Sequence, residues 1–159
     1  MVSAGELNIE KSKRSHILVD DEDIAKYKEV EKKLPFKNHL HTFAVATFIG
    51  YYEICDYKKI DKPNNGFIHL SVFTNSIYLH FLKSLAISHF NDPIILEDEK
   101  QMYSFCEEYA RKGIEKMYEW CSKDKISDDD EIDEYDEDVD FANKIAELML
   151  DKFNELNVD

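Results

Sequence analysis

The sequence predicts an all-α protein: a compact bundle of about five helices with an acidic connector before the last one. Three observations point there. Four Gly and three Pro in 159 residues are too few for the tight turns that a sheet-rich fold of this size needs. Apolar residues recur at three- and four-residue spacing through several long runs. One of those runs is apolar around most of its circumference, as a helix at the centre of a bundle is, and a second is strongly apolar. A chain of this length buries roughly two-thirds of its unfolded surface, so one core without covalent staples suffices.

Residues 1–18 lack a sustained period and read as a flexible N-terminal arm, leaving 19–159 as a single helical domain. DDEDIAKYKEVEKKL (20–34) begins with acids and ends with lysines, the order a helix dipole favours. Ile24, Tyr27, Val30 and Leu34 give it a narrow apolar stripe, and Pro35 stops it. In KNHLHTFAVATFIGYYEICDY (37–57), Asn38 supplies a cap and Leu40, Phe43, Ala44, Thr47, Phe48 and Tyr51 a broad apolar face. Gly50 in this run allows another helix to approach closely. KKIDKPNNGF (58–67) is a loop. FIHLSVF (67–73) alternates like a strand, but with no identifiable partner strand it is read as an extended lead into the next helix. Asn75 or Ser76 caps SIYLHFLKSLAISHF (76–90), and Asn91-Asp92-Pro93 ends it. The longest pattern opens at Asp98 and holds its spacing from Met102 to Cys121. Gly113 inside it is about 1 kcal/mol worse than Ala and signals tight packing or a break. After the acidic connector at 127–140, DFANKIAELMLDKFNEL (140–156) forms a C-terminal helix.

The net charge of −14 is concentrated in SDDDEIDEYDEDVD (127–140), which holds ten carboxylates and no basic residue, so the other 145 residues carry only about −4. Nucleic acid is not expected to bind directly through this segment, because such binding rests on Lys and Arg neutralising phosphates. Two short basic groups exist, Lys11, Lys13 and Arg14, and Lys58, Lys59 and Lys62. Cys55, Cys106 and Cys121 are an odd number without a C-x-x-C pair and fit reduced thiols of a cytoplasmic protein. Cys106 and Cys121 sit on one predicted helix, about 20 Å apart along its axis, and cannot pair. No apolar targeting core and no run near eighteen apolar residues is present, so no membrane association is expected.

Aligned on Asp128, the acidic run has Asp133 where a calcium loop needs Gly. It reads first as a solvated connector held extended by like-charge repulsion, with partner docking or mimicry of a phosphate backbone as alternatives. His39 and His41 are two apart, on different sides of a helix, and His69, His80 and His89 lack ligand spacing, so no metal or other cofactor is expected. Glu107–Arg111, Glu108–Lys112 and Glu115 beside Lys116 read as ordinary exposed ion pairs rather than acid–base machinery. Nucleophile and phosphate-cradle motifs are absent from the sequence, and no catalytic residue is assigned. Tyr52, Tyr103 and Trp120 lie off the apolar stripes and are candidates for an exposed contact surface.

LPFKNHLHTFAVATFIGYYE resembles the "PF…F–A–A–G" opening of small accessory proteins encoded with DNA phosphorothioation (Dnd-type) modification and restriction systems. EEYARKGIEKM (107–117) is similar to their later "EEYA–x–x–GI" helix, and FIHLSVF…LKSLAISHFNDPIIL matches the layout between. The resemblance spans about residues 20–121 and implies a helical accessory protein of bacterial or archaeal genome defence, with no functional residue carried over. The expectation is therefore a non-enzymatic accessory or adaptor protein that acts through a protein partner. Its candidate contacts are Tyr52, Tyr103 and Trp120 with Asp128, Asp129, Asp130, Glu131, Asp133, Glu134, Asp136, Glu137 and Asp138. An acidic decoy that inhibits a nucleic-acid-binding protein is the alternative. An enzyme would need a pocket gathering His39 or His41 with Glu or Cys residues. Oligomeric state, and whether the last helix packs on its own chain or a neighbour's, stay open.

Overall fold

Two glycines set the centre of the molecule. A Cβ on Gly50 would lie 2.0 Å from the Tyr109 carbonyl oxygen, and one on Gly113 would lie 1.7 Å from that of Ala46. Two helices therefore run backbone against backbone, and Gly113 marks close packing inside an unbroken helix. The computed structural model describes residues 14–34, 38–73, 76–123 and 134–156. In chain order it holds β1 (His16–Asp20), α1 (Ile24–Lys33), α2 (His39–Phe48), β2 (Pro63–His69), α3 (Ile77–Phe90), α4 (Glu99–Lys123) and α5 (Glu134–Leu156). The chain is mostly helical, as its periodicity predicts.

The long helix α4 is the spine, with α1, α2, α3 and β1 packed on it. α2 is nearly all buried and runs on into a π-helical stretch, Ile49–Ile54, that carries Gly50. Thr47 Oγ1 donates to the Phe43 carbonyl at 2.9 Å and lies 3.4 Å from that of Cys106, so its hydroxyl is satisfied inside the core. The caps fall where the sequence placed them: Asn38 Oδ1 accepts from Leu40 N–H at 2.8 Å, and Ser76 Oγ from Tyr78 N–H at 3.2 Å. Asn91, at φ 52°, closes α3 in the left-handed conformation that Asn tolerates.

The sheet is a correction. β1 pairs antiparallel with β2, His16 opposite His69 and Ile17 opposite Ile68, with an irregularity before Val19 meets Asn64. Ile17 and Val19 enter the core, so residues 14–18 are not part of an arm; residues 1–13 lie outside the described set. The first three residues of FIHLSVF do have a strand partner, in a strand that starts at Pro63 within the stretch read as a loop, while Leu70–Phe73 form a short 3-10 turn. Pro is tolerated there as the first strand residue, where no ladder N–H is required.

The connector is corrected too. α5 begins at Glu134, so residues 134–140 are helical, while 124–133 lie outside the described residues. α5 packs on its own chain: Ile145 is buried, and Lys144 Nζ sits 5.1 Å from the centre of the Trp120 ring.

Candidate functional site

Glu107 and Arg111 stand one turn apart on α4 and are both buried. They do not form an exposed pair with each other; each reaches a different partner far along the chain. Arg111 Nε donates to Asp23 at 2.9 Å, Nη1 lies 3.0 Å from Asp20, and the guanidinium also bonds the Lys59 carbonyl. Asp20 further accepts N–H bonds from Asp61 (2.8 Å), Lys62 (3.0 Å) and Glu22 (3.2 Å). Burial pushes the Asp20 carboxyl up, but these three N–H groups and Arg111 outweigh it and hold the carboxyl below its ordinary range. Glu107 accepts from Leu18 N–H at 2.6 Å and pairs with Arg14 at 2.8 Å. Burial dominates there: the Glu107 carboxyl is pushed up to about 7 despite Arg14 and Leu18. The network ties β1 and residues 59–62 to the spine.

Above this anchor, an open cleft of about 330 Å³ lies between the end of α3, the first half of α4 and the 55–62 connection. Phe105 and Tyr109, one turn apart on α4, line it with His89 and Phe90 from α3 and with Tyr57 and Lys59 from the connection. His89 stacks on Phe105 at 4.7 Å, and Tyr109 lies edge-on to Phe105 at 5.1 Å. Tyr57 is 52% exposed and leans towards Tyr109 at 5.8 Å. Gln101, Ser104 and Glu108 complete the lining. Lys112, the expected partner of Glu108, turns instead to Asp56 (3.5 Å) and Glu115 (3.8 Å).

The profile of a protein family, the DNA sulphur modification system-associated protein 4 family, matches residues 10–147. The chain belongs to this family. No curated protein and no solved structure matches it. Membership bears out the resemblance to Dnd accessory proteins and extends it through β1 and into α5.

The candidate contacts of this family member fall in three groups. Tyr103 and Trp120 are not exposed: they retain 6% and 9% of their surface. α4 meets β1, and Arg14 and Glu107 lie close enough to Tyr103 to act on its phenol, which burial first of all pushes up to about 12. Trp120 lies between Lys116 and Lys144, the second reaching over from α5. Tyr52 remains half-buried, set edge-on against Tyr51 at 4.8 Å and beside Phe48 at 5.1 Å. Asp128, Asp129, Asp130, Glu131 and Asp133 lie outside the described residues; Glu134, Asp136, Glu137 and Asp138 fall in the first turns of α5.

The histidines separate as their spacing requires. His39 Nδ1 meets Glu31 at 2.7 and 2.8 Å and stacks on Phe67 at 4.0 Å, while His41 leans on Tyr78 at 4.2 Å. Neither lines the cleft, and His89 does. Among the described residues, no group of three or more His, Cys, Asp and Glu is placed to hold a metal ion. Cys106 is buried, and its thiol is raised by that burial and by Glu107, which makes it a packing residue. No helix among the described residues is long and apolar enough to cross a membrane. Sequence reasoning missed the cleft because Phe105 and Tyr109 belong to the apolar stripe of α4, and their one-turn aromatic spacing was the available signal.

Proposed function

We propose that the protein is a non-catalytic accessory component of a DNA sulphur modification system and works by binding a protein partner. Family membership places it beside such a system. The observation that carries the mechanism is the fate of its buried ionisable groups. Arg111, Asp20, Asp23 and Glu107 point inward and are consumed in tying β1 and the 59–62 segment to α4. Groups spent on the fold in this way are not available to a substrate. The partner-facing elements are Tyr52 and the acidic positions around the start of α5, Asp128 to Asp138.

The test is pairwise co-purification with each co-encoded protein of the system, comparing the wild type with a variant in which the ten carboxylates of 127–140 become Asn or Gln. The expected outcome is one retained partner, weakened by neutralisation. Retention by both forms moves the contact away from the acidic segment and leaves the adaptor role standing. A partner whose nucleic-acid binding is blocked by the wild type alone makes the protein a decoy, and failure to retain any co-encoded protein ends the adaptor reading.

A further inference from the structure

The cleft over α4 has no part in that reading. Its volume of about 330 Å³ is at the small end of the roughly 300–1,000 Å³ typical of ligand pockets. Its chemistry is unusual in combining rings with unpaired charge. Tyr57, His89, Phe90 and Tyr109 offer aromatic faces and edges, with Phe105 buried behind His89, which favours a planar conjugated group. Lys59 and Glu108 stand in the same lining, and neither side chain makes a hydrogen bond or ion pair with another described residue. Their obvious partners are engaged elsewhere: Lys58 pairs with Glu115 at 2.9 Å, and Lys112 with Asp56 and Glu115.

The rim is also preset. Lys58 N–H donates to the Glu108 carbonyl at 3.0 Å, and Arg111 bonds the Lys59 carbonyl from beneath. Tyr57 N–H is held by Asp56 Oδ1 at 2.9 Å. The backbone of 57–59 is thus anchored to α4 before anything binds, which lowers the part of the ordering cost that falls on the backbone.

We propose that this cleft binds a single free purine nucleotide. The base lies among Tyr57, His89 and Tyr109, the Glu108 carboxylate accepts from the amino and imino edge of the base, and Lys59 faces the phosphate. Guanine suits a carboxylate best, because it presents two adjacent donors to two acceptor oxygens. A free nucleotide is favoured over a strand. A strand needs several cations along its phosphates, and among the lining residues Lys59 is the only lysine or arginine.

Titration calorimetry on the full chain tests this with guanosine monophosphate, adenosine monophosphate, guanosine and a single-stranded oligonucleotide. Three variants accompany it, Tyr57→Ala, Lys59→Gln and Glu108→Gln, all at residues with exposed or half-exposed side chains. Saturable binding of guanosine monophosphate is expected, with adenosine monophosphate weaker. Lys59→Gln should weaken the monophosphate about tenfold and leave guanosine unchanged, while Glu108→Gln weakens both and narrows the preference for guanine. Tyr57→Ala should weaken every ligand. No saturable binding at millimolar nucleotide overturns the proposal, and so does binding that all three variants leave unchanged. Tighter binding of the oligonucleotide than of the mononucleotides overturns it in favour of a strand site.

Discussion

Gly113→Ala separates two opposed physical effects by sign. On helix propensity alone, Ala is better than Gly by about 1 kcal/mol in the interior of a helix such as α4. For a protein of this size each kcal/mol moves Tm by roughly 2–4 °C, so propensity predicts a small rise. The geometry predicts the reverse. The new Cβ would lie 1.7 Å from the Ala46 carbonyl oxygen, 2.5 Å from its carbon and 2.8 Å from its Cα. All three atoms are backbone and cannot rotate away. To restore even a 3.0 Å separation, α2 and α4 must part by about 1.3 Å. A gap of that order forfeits a quarter to a half of each dispersion contact along the seam, and the seam carries Phe43, Ala46, Cys106, Ala110 and Ile114, all fully or almost fully buried. Overpacking of this kind typically costs about 1–3 kcal/mol and more when backbone must move. The expected net loss is about 3 kcal/mol, or roughly 6–12 °C in Tm. Thermal unfolding followed by circular dichroism reads it directly, and urea unfolding with an unchanged m-value excludes a change in the unfolded state. A Tm at or above that of the wild type would refute the close approach of α2 and α4.

Glu107→Gln tests the buried carboxylate. Its folded pKa of about 7 lies above the ordinary 4.5, so the folded state takes up the proton more readily; the associated stability is full below 4.5 and lost as pH rises through 7. That component is about 3 kcal/mol, and urea unfolding from pH 5 to 8 should show the wild type losing stability relative to the variant; parallel curves would sink the assignment. Arg111→Met leaves Asp20 buried without its cation and Asp23 with Lys26 alone, and should destabilise by about 3–5 kcal/mol, with Arg111→Lys intermediate because an ammonium cannot bridge both carboxylates and the Lys59 carbonyl. Equal stability of the Met variant in urea unfolding would show that the network contributes nothing.

Much of the helical frame was legible because the signal is local. α4 shows its period from Met102 to Cys121, Asn38 and Ser76 announce their caps, and Gly50 and Gly113 mark a close contact. What escaped is set by distant partners. β1 is five residues of HILVD after a basic run, too short for an alternating pattern to stand out, and its partner opens with Pro-Asn-Asn-Gly, the punctuation of a loop. Glu107 and Arg111 have the spacing of a surface ion pair, and only β1 with its flanks, 88–93 positions away, and Lys59, 52 away, turn them inward. Trp120 looked exposed because the cover over it comes from α5, beyond the acidic run. Tyr57 and His89 sit where helices end and carried no period to assign them to one face.

The buried charges and the cleft are one construction. The segments 14–23 and 55–62 bring few apolar anchors to the core, chiefly Ile17 and Val19, so burial alone would hold them weakly. Arg111 compensates through its forked donors, joining the strand at Asp20, the start of α1 at Asp23 and the connection at the Lys59 carbonyl from a single helix position. Apolar side chains could supply equal stability but could not fix the Lys59 carbonyl, because that needs a directed donor. A buried pair that only stabilised could be exchanged for hydrocarbon; this one also sets where Tyr57 and Lys59 stand above α4. Loosening Arg111 should therefore blur the rim of the cleft as well as lower the stability of the fold.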